Sequence, residues 1–457
     1  MATTTPRQIN NVPLLKALGR SFQFVQNPIP VLSDYFEEYG TTFSLRLGNQ
    51  HNMVTIEPDL IQHVLQKQHR RYCKSEVQTE KLQAFVGQGL LTSDGAYWLK
   101  QRRLIQPGFH RSKLSALTKI MQEQIDSYLK RFDQLAESVA TFDISHKMME
   151  LAFDVVARSL FSSSIEESQL QLLAENITAI QAYLVKTIRL PFMNPWYQLS
   201  GQHKFYKKLA HDSKQVILQL IEERKASEAD FDDLLDMLLS SRYEDTGEGM
   251  SDQQLLDESL ILFVAGHETS AVALAWTIYL LAQHPWAVDR IREELVEVLE
   301  GRKPRFEDLP QLSYTLQVIQ ESMRIYPPAW ITDRKALVDD VCGDIAIKKD
   351  TIVVPFIYGV HHHPQIWPAP DRFDPDRFTK EAIRQRPSYA YLPFGGGPRL
   401  CIGNNFALME MQLIIAALLD QYDIELVAGQ EINILPLVTL RPKEGIQIRL
   451  KKRLSRS

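Results

Sequence analysis

Cysteine is scarce in this chain of 457 residues, which has only three, Cys73, Cys342 and Cys401. Their odd number and wide separation exclude a disulfide framework and the paired spacing of a zinc site. Such cysteine usage indicates a reducing, cytoplasmic compartment. Basic charge is not in excess either, since the net charge is −5, and this argues against nucleic acid as a partner.

Repeats, low-complexity linkers and a targeting segment are also missing. The N-terminal stretch has no basic start followed by an apolar run and a cleavage site, so no signal peptide and no anchor are predicted there. One long apolar run, Ser259 to Ala282, approaches the length needed to span a bilayer. It carries His267 and Glu268 near its middle, which is costly in lipid. We therefore expect a helix buried in a protein core and no transmembrane anchor.

The periodicity of apolar residues predicts a mainly α-helical fold with small β-sheets. A capping box at Ser251 to Gln254 starts a central helix that Pro285 ends near Gln283. Other expected elements are helices at 59–67, 312–326 and 404–421, a mostly helical region at 112–243, a hairpin around Gly48-Asn49-Gln50, and short strands at 329–355 and 446–450. Because the motifs described next are spread from residue 98 to residue 403 and must meet at one site, we expect a single domain over residues 1–457.

A glycine-rich loop near the C-terminal end presents one cysteine. Three glycines, at 395–397, permit backbone angles that side chains forbid, and Cys401 follows just before a helical pattern begins. A thiolate held in this way suits a haem iron. The alternative is a buried structural thiol, since a free cysteine is often only a small core residue.

The pattern of this loop resembles the haem-binding signature of the cytochrome P-450 superfamily. The matching positions are Phe394, Gly397, Arg399, Cys401 and Gly403. Within the central helix, Ala265-Gly266-His267-Glu268-Thr269 resembles the oxygen-activation motif of the same family. The small residues Ala265 and Gly266 would let a bulky group approach, and Glu268 and Thr269 would guide protons. Alternatively, the Thr269 hydroxyl bonds back to a carbonyl of its own helix, and His267 is interpreted as a partnered structural side chain.

Two further motifs agree with the resemblance. Trp98 and Arg102 lie at i, i+4 on one helical face, and the family uses such a pair to bind a haem propionate; a surface cation–π pair is the alternative. Arg334 matches a second propionate arginine, and Arg399 is expected to assist. Glu321-x-x-Arg324 matches the buried ion pair of the family, which Arg377 would complete.

The resemblance implies a cytochrome P-450 fold and a haem-thiolate monooxygenase. Its cofactor would be haem b with Cys401 as the iron ligand, Phe394 beside it, and dioxygen as the co-substrate. Electrons would come ultimately from NAD(P)H through a separate ferredoxin or flavodoxin-type donor. The alternatives are a member that uses or isomerises a peroxide, which the intact Glu268-Thr269 pair argues against, and a haem-binding sensor without enzymatic activity.

The expected substrate is a lipophilic small molecule, such as a terpenoid, a carotenoid or a fatty acid. Two segments of the sequence, RIYPPAWI and FVAGHETSAVALAW, look similar to the sequences of carotenoid-hydroxylating members of the family. The apolar lining candidates are Phe85, Val86, Phe192, Trp196, Leu262, Phe263, 329–331 and 436–438. Lys100, Arg103 and Arg399 are expected to attract the electron donor. A monomer is expected, with loose membrane association as the alternative to a freely cytoplasmic protein.

Three local expectations complete the sequence reading. The loop at 190–196 is either a mobile lid over an apolar pocket or ordinary helix packing. Asp350 stands where the family has glycine in a turn, and aspartate tolerates the left-handed region. The three histidines at 361–363 are interpreted as surface residues, because adjacent histidines cannot all face one metal ion.

Overall fold

The computed structural model describes residues 7–453 apart from 48–49, 163–164, 228, 230 and 232. Its α-helices are α1 (Leu14–Gly19), α2 (Ser21–Gln26), α3 (Pro28–Tyr39), α4 (Pro58–Gln62), α5 (Gln83–Val86), α6 (Gly95–Ile105), α7 (Arg111–Glu137), α8 (Ile144–Phe161), α9 (Glu167–Arg189), α10 (Asn194–Leu199), α11 (Gln202–Ala226), α12 (Leu234–Ser240), α13 (Asp252–Gln283), α14 (Pro285–Leu299), α15 (Ser313–Ile325), α16 (Ile357–His361), α17 (Lys380–Gln385) and α18 (Asn404–Gln421). The predicted mainly helical fold is confirmed.

The strands are short and form four small sheets. They are β1 (Asn10–Asn11), β2 (Thr42–Leu47), β3 (Gln50–Thr55), β4 (Tyr72–Cys73), β5 (Phe142–Asp143), β6 (Arg334–Ala336), β7 (Asp340–Cys342), β8 (Ile345–Ile347), β9 (Ile352–Pro355), β10 (Tyr422–Leu426), β11 (Ile434–Pro436), β12 (Leu440–Pro442) and β13 (Gln447–Lys452). The largest sheet has the order β1-β2-β3-β9-β6-β4, a second has the order β10-β13-β5, and β7–β8 and β11–β12 are two-stranded.

The predicted hairpin is β2–β3, in which Phe43 pairs with Val54. Gly48 and Asn49, the predicted turn residues, lie outside the described part of the chain. Asp350 adopts a φ of 65°, so the turn before β9 survives without glycine. Strand β5 interrupts the region predicted as helical at 112–243, because Phe142 pairs with Ile448 of β13, about 300 residues further along the chain.

Two apolar cores support these elements. The larger one joins the helices, and the smaller one lies between α3 and the six-stranded sheet. The central helix α13 crosses the larger core, and its capping box at Ser251 forms as predicted. Among the described residues, α13 alone has the length and hydropathy of a membrane span, but 72% of its apolar window is buried inside the protein. It is therefore packed as the expected core helix.

Candidate active site

The cysteine loop is closed by its own backbone. The N–H of Cys401 donates to the carbonyl of Phe394 at 3.0 Å, and a short 3-10 helix, Gly397–Arg399, precedes the cysteine. Gly397 has a φ of 67°, and a Cβ on it would stand 1.9 Å from the backbone oxygen of Leu65. Only glycine fits there, which explains why the motif requires it.

The thiol of Cys401 is poised as a ligand. Burial raises its pKa, whereas the backbone N–H of Gly403 and the positive charge of Arg102 act in the opposite direction. Helix α18 begins at Asn404, so its positive N-terminal end lies beside the sulfur and favours the thiolate. Cys401 is nevertheless exposed. A residue that is both surrounded by protein and exposed borders an internal space.

One stripe of the central helix α13, formed by Ala265 and Thr269, is likewise not covered by packed side chains, and we call it the bare stripe. Ala265 is exposed and Thr269 is partly exposed, whereas Phe263 and His267 on the other faces are buried. The Thr269 hydroxyl donates to the carbonyl of Ala265 at 2.9 Å, so the back-bonded alternative holds in this state. Residues at i and i+4 share one helical face. A flat group could therefore lie against Ala265 and Thr269.

Gly266 also serves helix packing. A Cβ on it would come within 3.2 Å of Val156 on α8. Its small size thus allows close packing of α8 against α13, and it is partly exposed beside Ala265.

The two bare surfaces belong to one region of the protein. Helix α13 packs against α18, and Ser270 of α13 faces Glu410 of α18 closely enough to influence its pKa. Ser270 follows Thr269 directly, and Glu410 lies on the helix that Cys401 introduces. We infer that the space between the cysteine loop and the middle of α13 accepts a flat cofactor ligated by sulfur, and the residues present therefore fit haem.

Charged side chains gather beside this space. Arg399 forms a two-pronged ion pair with Asp94, with distances of 3.0 and 2.5 Å, and its guanidinium lies 5.1 Å from the ring centre of buried Trp98. Arg102 donates to the carbonyl of Leu400 at 2.9 Å. The Trp98–Arg102 helix is thus attached to the cysteine loop at two points.

Three cations crowd one another here. Burial, and then the charge of Arg399, lowers the pKa of Arg334 to about 10. Burial, and then the charges of Arg399 and Arg334, lowers the pKa of Lys74 to about 7. Crowded buried cations are stable when anions join them. The two propionate carboxylates of haem b are groups of the required charge.

Sequence reasoning missed Lys74 and Asp94. The ammonium group of Lys74 donates to the carbonyls of Leu90 and Ser93 at 2.6 and 2.9 Å, which fixes the loop before α6. Asp94 was detectable only as a capping residue, because it precedes the helix and its carboxylate accepts from Gly95. Nothing local in the sequence marks Lys74.

The acid of the central helix is held by a hairpin. Oε1 of Glu268 accepts hydrogen bonds from Thr439 at 2.5 Å and from Nε of Arg441 at 2.8 Å. The hairpin β11–β12 therefore supplies the counter-charge of Glu268. Thr439 and Arg441 lie more than 170 residues away along the chain, so local patterns could not reveal them.

The predicted buried triad is confirmed. Arg324 donates to both oxygens of Glu321 at 2.7 and 2.8 Å, and neither side chain is exposed to solvent. Nε of Arg377 lies 3.4 Å from Glu321. Arg324 also donates to the carbonyls of His361 and Pro370, so the triad holds together the segments that precede the cysteine loop.

The interpretation of 361–363 as surface residues is wrong. His361 is fully buried, and its Nε2 accepts from the backbone N–H of Leu392 at 2.8 Å. His362 stacks on Tyr358 with ring centres 4.0 Å apart. Helix α16 turns these neighbouring side chains in different directions, and His361 packs into the core.

Several lining candidates lie elsewhere. Phe263 packs edge-on against Phe153 at 4.8 Å, on a face of α13 away from the bare stripe. Phe192 and Trp196 are exposed, so the loop at 190–196 presents them to solvent in this state. Phe85 and Val86 are buried and remain candidates.

The proposed docking charges also need revision. The Arg399 side chain is 10% exposed and is committed to Asp94, so it cannot serve a partner. Lys100 is exposed but pairs with Asp245 at 3.3 Å. Arg103 is exposed and remains available.

Comparisons with known proteins agree with this geometry. The sequence model of the family described as Cytochrome P-450 matches residues 10–450. A cyclooctat-9-en-7-ol 5-monooxygenase of Streptomyces melanosporofaciens is 33% identical, with 93% of this chain and 91% of that protein covered. A cytokinin hydroxylase of Arabidopsis thaliana is 30% identical, with 93% and 83% covered.

A solved structure shares the fold. The crystal structure of the cytochrome P-450DA heme domain superposes with a TM-score of 0.86 at 24% identity, and the match covers 99% of each chain. The fold, the cysteine loop and the family match over nearly the whole sequence agree. The chain belongs to the cytochrome P-450 family of monooxygenases.

Proposed function

We propose that this protein hydroxylates a lipophilic small molecule at haem b bound through the Cys401 thiolate. Haem bound there supplies the activation of dioxygen, with the thiolate favouring O–O cleavage. The balanced reaction takes the substrate, dioxygen, two electrons and two protons to the hydroxylated product and water. The observation that carries the proposal is that Cys401 and the Ala265–Thr269 stripe are both left uncovered by packed protein, and we take them as the two sides of the cofactor space.

Each site residue has a proposed role in this reaction. Arg102, Arg334 and Arg399 bind the propionates, and Trp98 supports Arg399 through its ring. Phe394 closes the cysteine loop through its carbonyl, and Ala265 leaves room for the cofactor face. Thr269 and Glu268 conduct protons, since an alcohol and a carboxylate can pass them inside a site from which water is excluded. We also propose that residues 1–457 form a single haem domain that is a monomer.

The first test concerns the ligand. The wild-type protein and Cys401→His are purified with haem, reduced and exposed to carbon monoxide. We expect a thiolate-type difference spectrum from the wild type and an imidazole-type spectrum from the variant. An imidazole-type spectrum from the wild type would overturn the assignment of Cys401. Arg103→Met is the matched control, because it removes an exposed cation from the same helix as Trp98 and should leave the spectrum unchanged.

The lipophilic substrate class is supported by the activities of two relatives. One relative oxidises cyclooctat-9-en-7-ol, and the other hydroxylates cytokinin. A panel of dodecanoic acid, geraniol, β-ionone and zeaxanthin, titrated against the oxidised protein, should give a low-to-high-spin shift with at least one member. A shift only with charged, water-soluble compounds would contradict the proposal.

The proposed electron donor is a separate ferredoxin or flavodoxin-type protein that draws on NAD(P)H. Product formation from a shifting probe should require NADPH, a ferredoxin and a ferredoxin reductase. Equal product from hydrogen peroxide alone would instead favour the peroxide-using alternative. No product by either route, together with a normal spectrum, would favour the sensor.

We propose that the protein is cytoplasmic and contacts membranes loosely. Leu15 and Phe22 in α1 and α2 are 84% and 71% exposed, and Leu199 in α10 is 85% exposed. Arg189, at the end of α9, donates to the carbonyl of Val25 at 3.0 Å, so the end of α9 lies beside α2. Exposed apolar residues of this kind are candidates for contact with a membrane. Co-sedimentation with anionic lipid vesicles should fall in Leu15→Ser/Phe22→Ser, and equal sedimentation would contradict the proposal.

A further inference from the structure

The carboxylate of Glu268 is held by two side chains of one hairpin. Thr439 donates to Oε1 at 2.5 Å, Nε of Arg441 does so at 2.8 Å, and Nη2 of Arg441 lies 2.5 Å from the same oxygen. All three contacts fall on Oε1. Since three donors occupy that oxygen, Oε2 is the atom at which a proton would be taken up or released.

The position of the hairpin is fixed independently of this contact. Thr439 lies in the turn between β11 and β12 and Arg441 lies in β12, and both side chains reach Glu268. The indole N–H of Trp276 donates to the carbonyl of Leu440 between them at 2.8 Å. The hairpin therefore offers Glu268 a rigid counter-charge.

Helical geometry places Glu268 between two faces of α13. Successive residues are about 100° apart, so Glu268 lies between His267 on one side and Thr269 on the other. Thr269 belongs to the bare stripe on the cofactor side. His267 and Ala271 line a different space.

That second space is a cleft of about 1100 Å³ formed by α8, α9, α13 and the hairpin. Arg441 lines it beside His267, and Glu175 and Thr178 of α9 form the opposite wall. The Arg441 side chain is 23% exposed, whereas that of Glu268 is 3% exposed. Solvent in the cleft thus reaches the arginine, and the arginine covers Oε1 of the carboxylate.

Arg441 is also linked to the helix across the cleft. Its Nη2 lies 3.3 Å from the side-chain oxygen of Gln181 on α9 and donates to it. The guanidinium therefore bridges α9, the hairpin and α13, and its position depends on all three. A change in the distance between α9 and the hairpin would alter its hold on Glu268.

We propose that Arg441, assisted by Thr439, is a positioning residue that holds Glu268 toward this cleft and sets its exchange of protons with cleft water. Glu268 accepts one proton at Oε2 from an acid carried by cleft water, releases it on the Thr269 side and returns to the carboxylate. No electrons move in this step, and two such transfers supply the two protons of one turnover. The inference rests on the proposed function, because it requires Glu268 to carry protons.

The main variant is Arg441→Met, which keeps an unbranched side chain and removes the charge. A buried carboxylate without its counter-charge holds a proton. We therefore expect the carboxylic acid C=O band of Glu268 to appear in the infrared spectrum of the resting holoenzyme at pH 7. The band is assigned by its absence in Arg441→Met/Glu268→Gln. The spectrum of the wild type should show Glu268 as carboxylate.

The functional measurement is the peroxide ratio, which is the amount of hydrogen peroxide released per NADPH oxidised. The assay contains ferredoxin, its reductase and the panel compound that gives the largest spin shift. We expect the ratio to rise about 3–10-fold in Arg441→Met, below the 10²–10⁴-fold contribution of general acid–base catalysis. The solvent isotope effect in deuterium oxide should rise with it. Arg441→Lys should restore part of the coupling, and Thr439→Val should give a smaller rise.

The control is Lys443→Met, which removes an exposed cation from the same hairpin; Lys443 pairs only loosely with Glu444, at 3.6 Å. Its peroxide ratio should match the wild type, and the spin-shift affinity should be unchanged in every variant. A ratio in Arg441→Met and Thr439→Val equal to that of Lys443→Met would overturn the inference. An unchanged ratio in Glu268→Gln would instead overturn the proton role of Glu268 in the proposed function.

Discussion

Two buried glutamate–arginine pairs in this protein are built in different ways. Glu321 and Arg324 lie three residues apart on α15. Arg324 donates two hydrogen bonds to Glu321, and both side chains are fully buried. Glu268 and Arg441 come from distant parts of the chain, meet at a single carboxylate oxygen, and leave the arginine partly exposed to a cleft. The first pair is closed on every side, and the second is open on one side.

The difference separates a pair enclosed on every side from a pair with access to solvent. Arg324 has three further carbonyl partners, those of His361, Pro370 and Arg372, so its charge is compensated in one fixed arrangement. Burial raises the pKa of Glu321, and the hydrogen bonds and charge of Arg324 oppose that rise. Access of solvent to one member of a pair, as at Arg441, provides the exchange that a proton carrier needs. Burial alone therefore does not identify the functional acid.

The largest effect is expected at the closed pair. Glu321→Gln removes the charge that compensates Arg324 and leaves a guanidinium buried without a counter-ion, which should cost about 3–5 kcal/mol of the free energy of unfolding. Urea denaturation of the holoenzyme measures it. Glu297→Gln, an exposed acid on α14, is the control. A loss below about 1 kcal/mol would show that the closed pair is no more important than an open one.

The second effect concerns a buried acid with no counter-charge. Glu410 is fully buried, no cation pairs with it in the described part of the chain, and only the Ser270 side chain opposes the effect of burial on its pKa. Burial raises its pKa to about 8, from 4.5. Because the folded state holds this proton more tightly, its contribution to stability is complete below pH 4.5 and is lost as the pH rises toward 8.

Glu410→Gln should abolish the loss of stability that accompanies the rise in pH. The variant and the wild type should be equally stable near pH 4.5, and the variant should be more stable at pH 8 by on the order of 1–4 kcal/mol. Denaturation in urea across pH 5–8 measures the difference. A constant difference at all pH values would mean that Glu410 does not change its protonation in this range.

The closed pair was predictable from the sequence and the open pair was not, for a physical reason. An i, i+3 spacing on a helix fixes two side chains on one face, so Glu321 and Arg324 could be paired from their positions alone. The starts of α13 and α18 were equally predictable, because Ser251 caps the first helix and Gly403 precedes the second. These signals lie within a few residues of one another.

The features that could not be predicted depend on contacts between residues far apart in the sequence. Arg441 reaches Glu268 only because Trp276 and the strand register fix the hairpin, and β5 exists only because β13 pairs with it. His361 was interpreted as a surface residue because three adjacent histidines cannot all face one metal ion, yet its partner, the backbone of Leu392, lies 31 residues away. No pattern within one segment encodes such contacts.

The third effect tests the open pair by stability. Glu268→Gln keeps an oxygen that can accept from Thr439, and Arg441 can be hydrated from the cleft. We expect a loss of about 1–2 kcal/mol in the free energy of unfolding, clearly below that of Glu321→Gln, measured under the same conditions. Equal losses would contradict the distinction between the two pairs.

The smallest effect is expected at an exposed pair with good geometry. Arg290 donates two hydrogen bonds to Asp376 at 3.2 and 3.1 Å, as Arg324 does to Glu321. The side chain of Arg290, however, is 45% exposed and that of Asp376 is 56% exposed. Asp376→Asn should change the free energy of unfolding by less than about 0.5 kcal/mol, because water replaces the lost partner. The same urea denaturation measures it, with 1 M salt as a second condition that should shrink the effect further. A loss comparable to that of Glu321→Gln would mean that two-pronged geometry, and not enclosure, determines how much such a pair stabilises the fold.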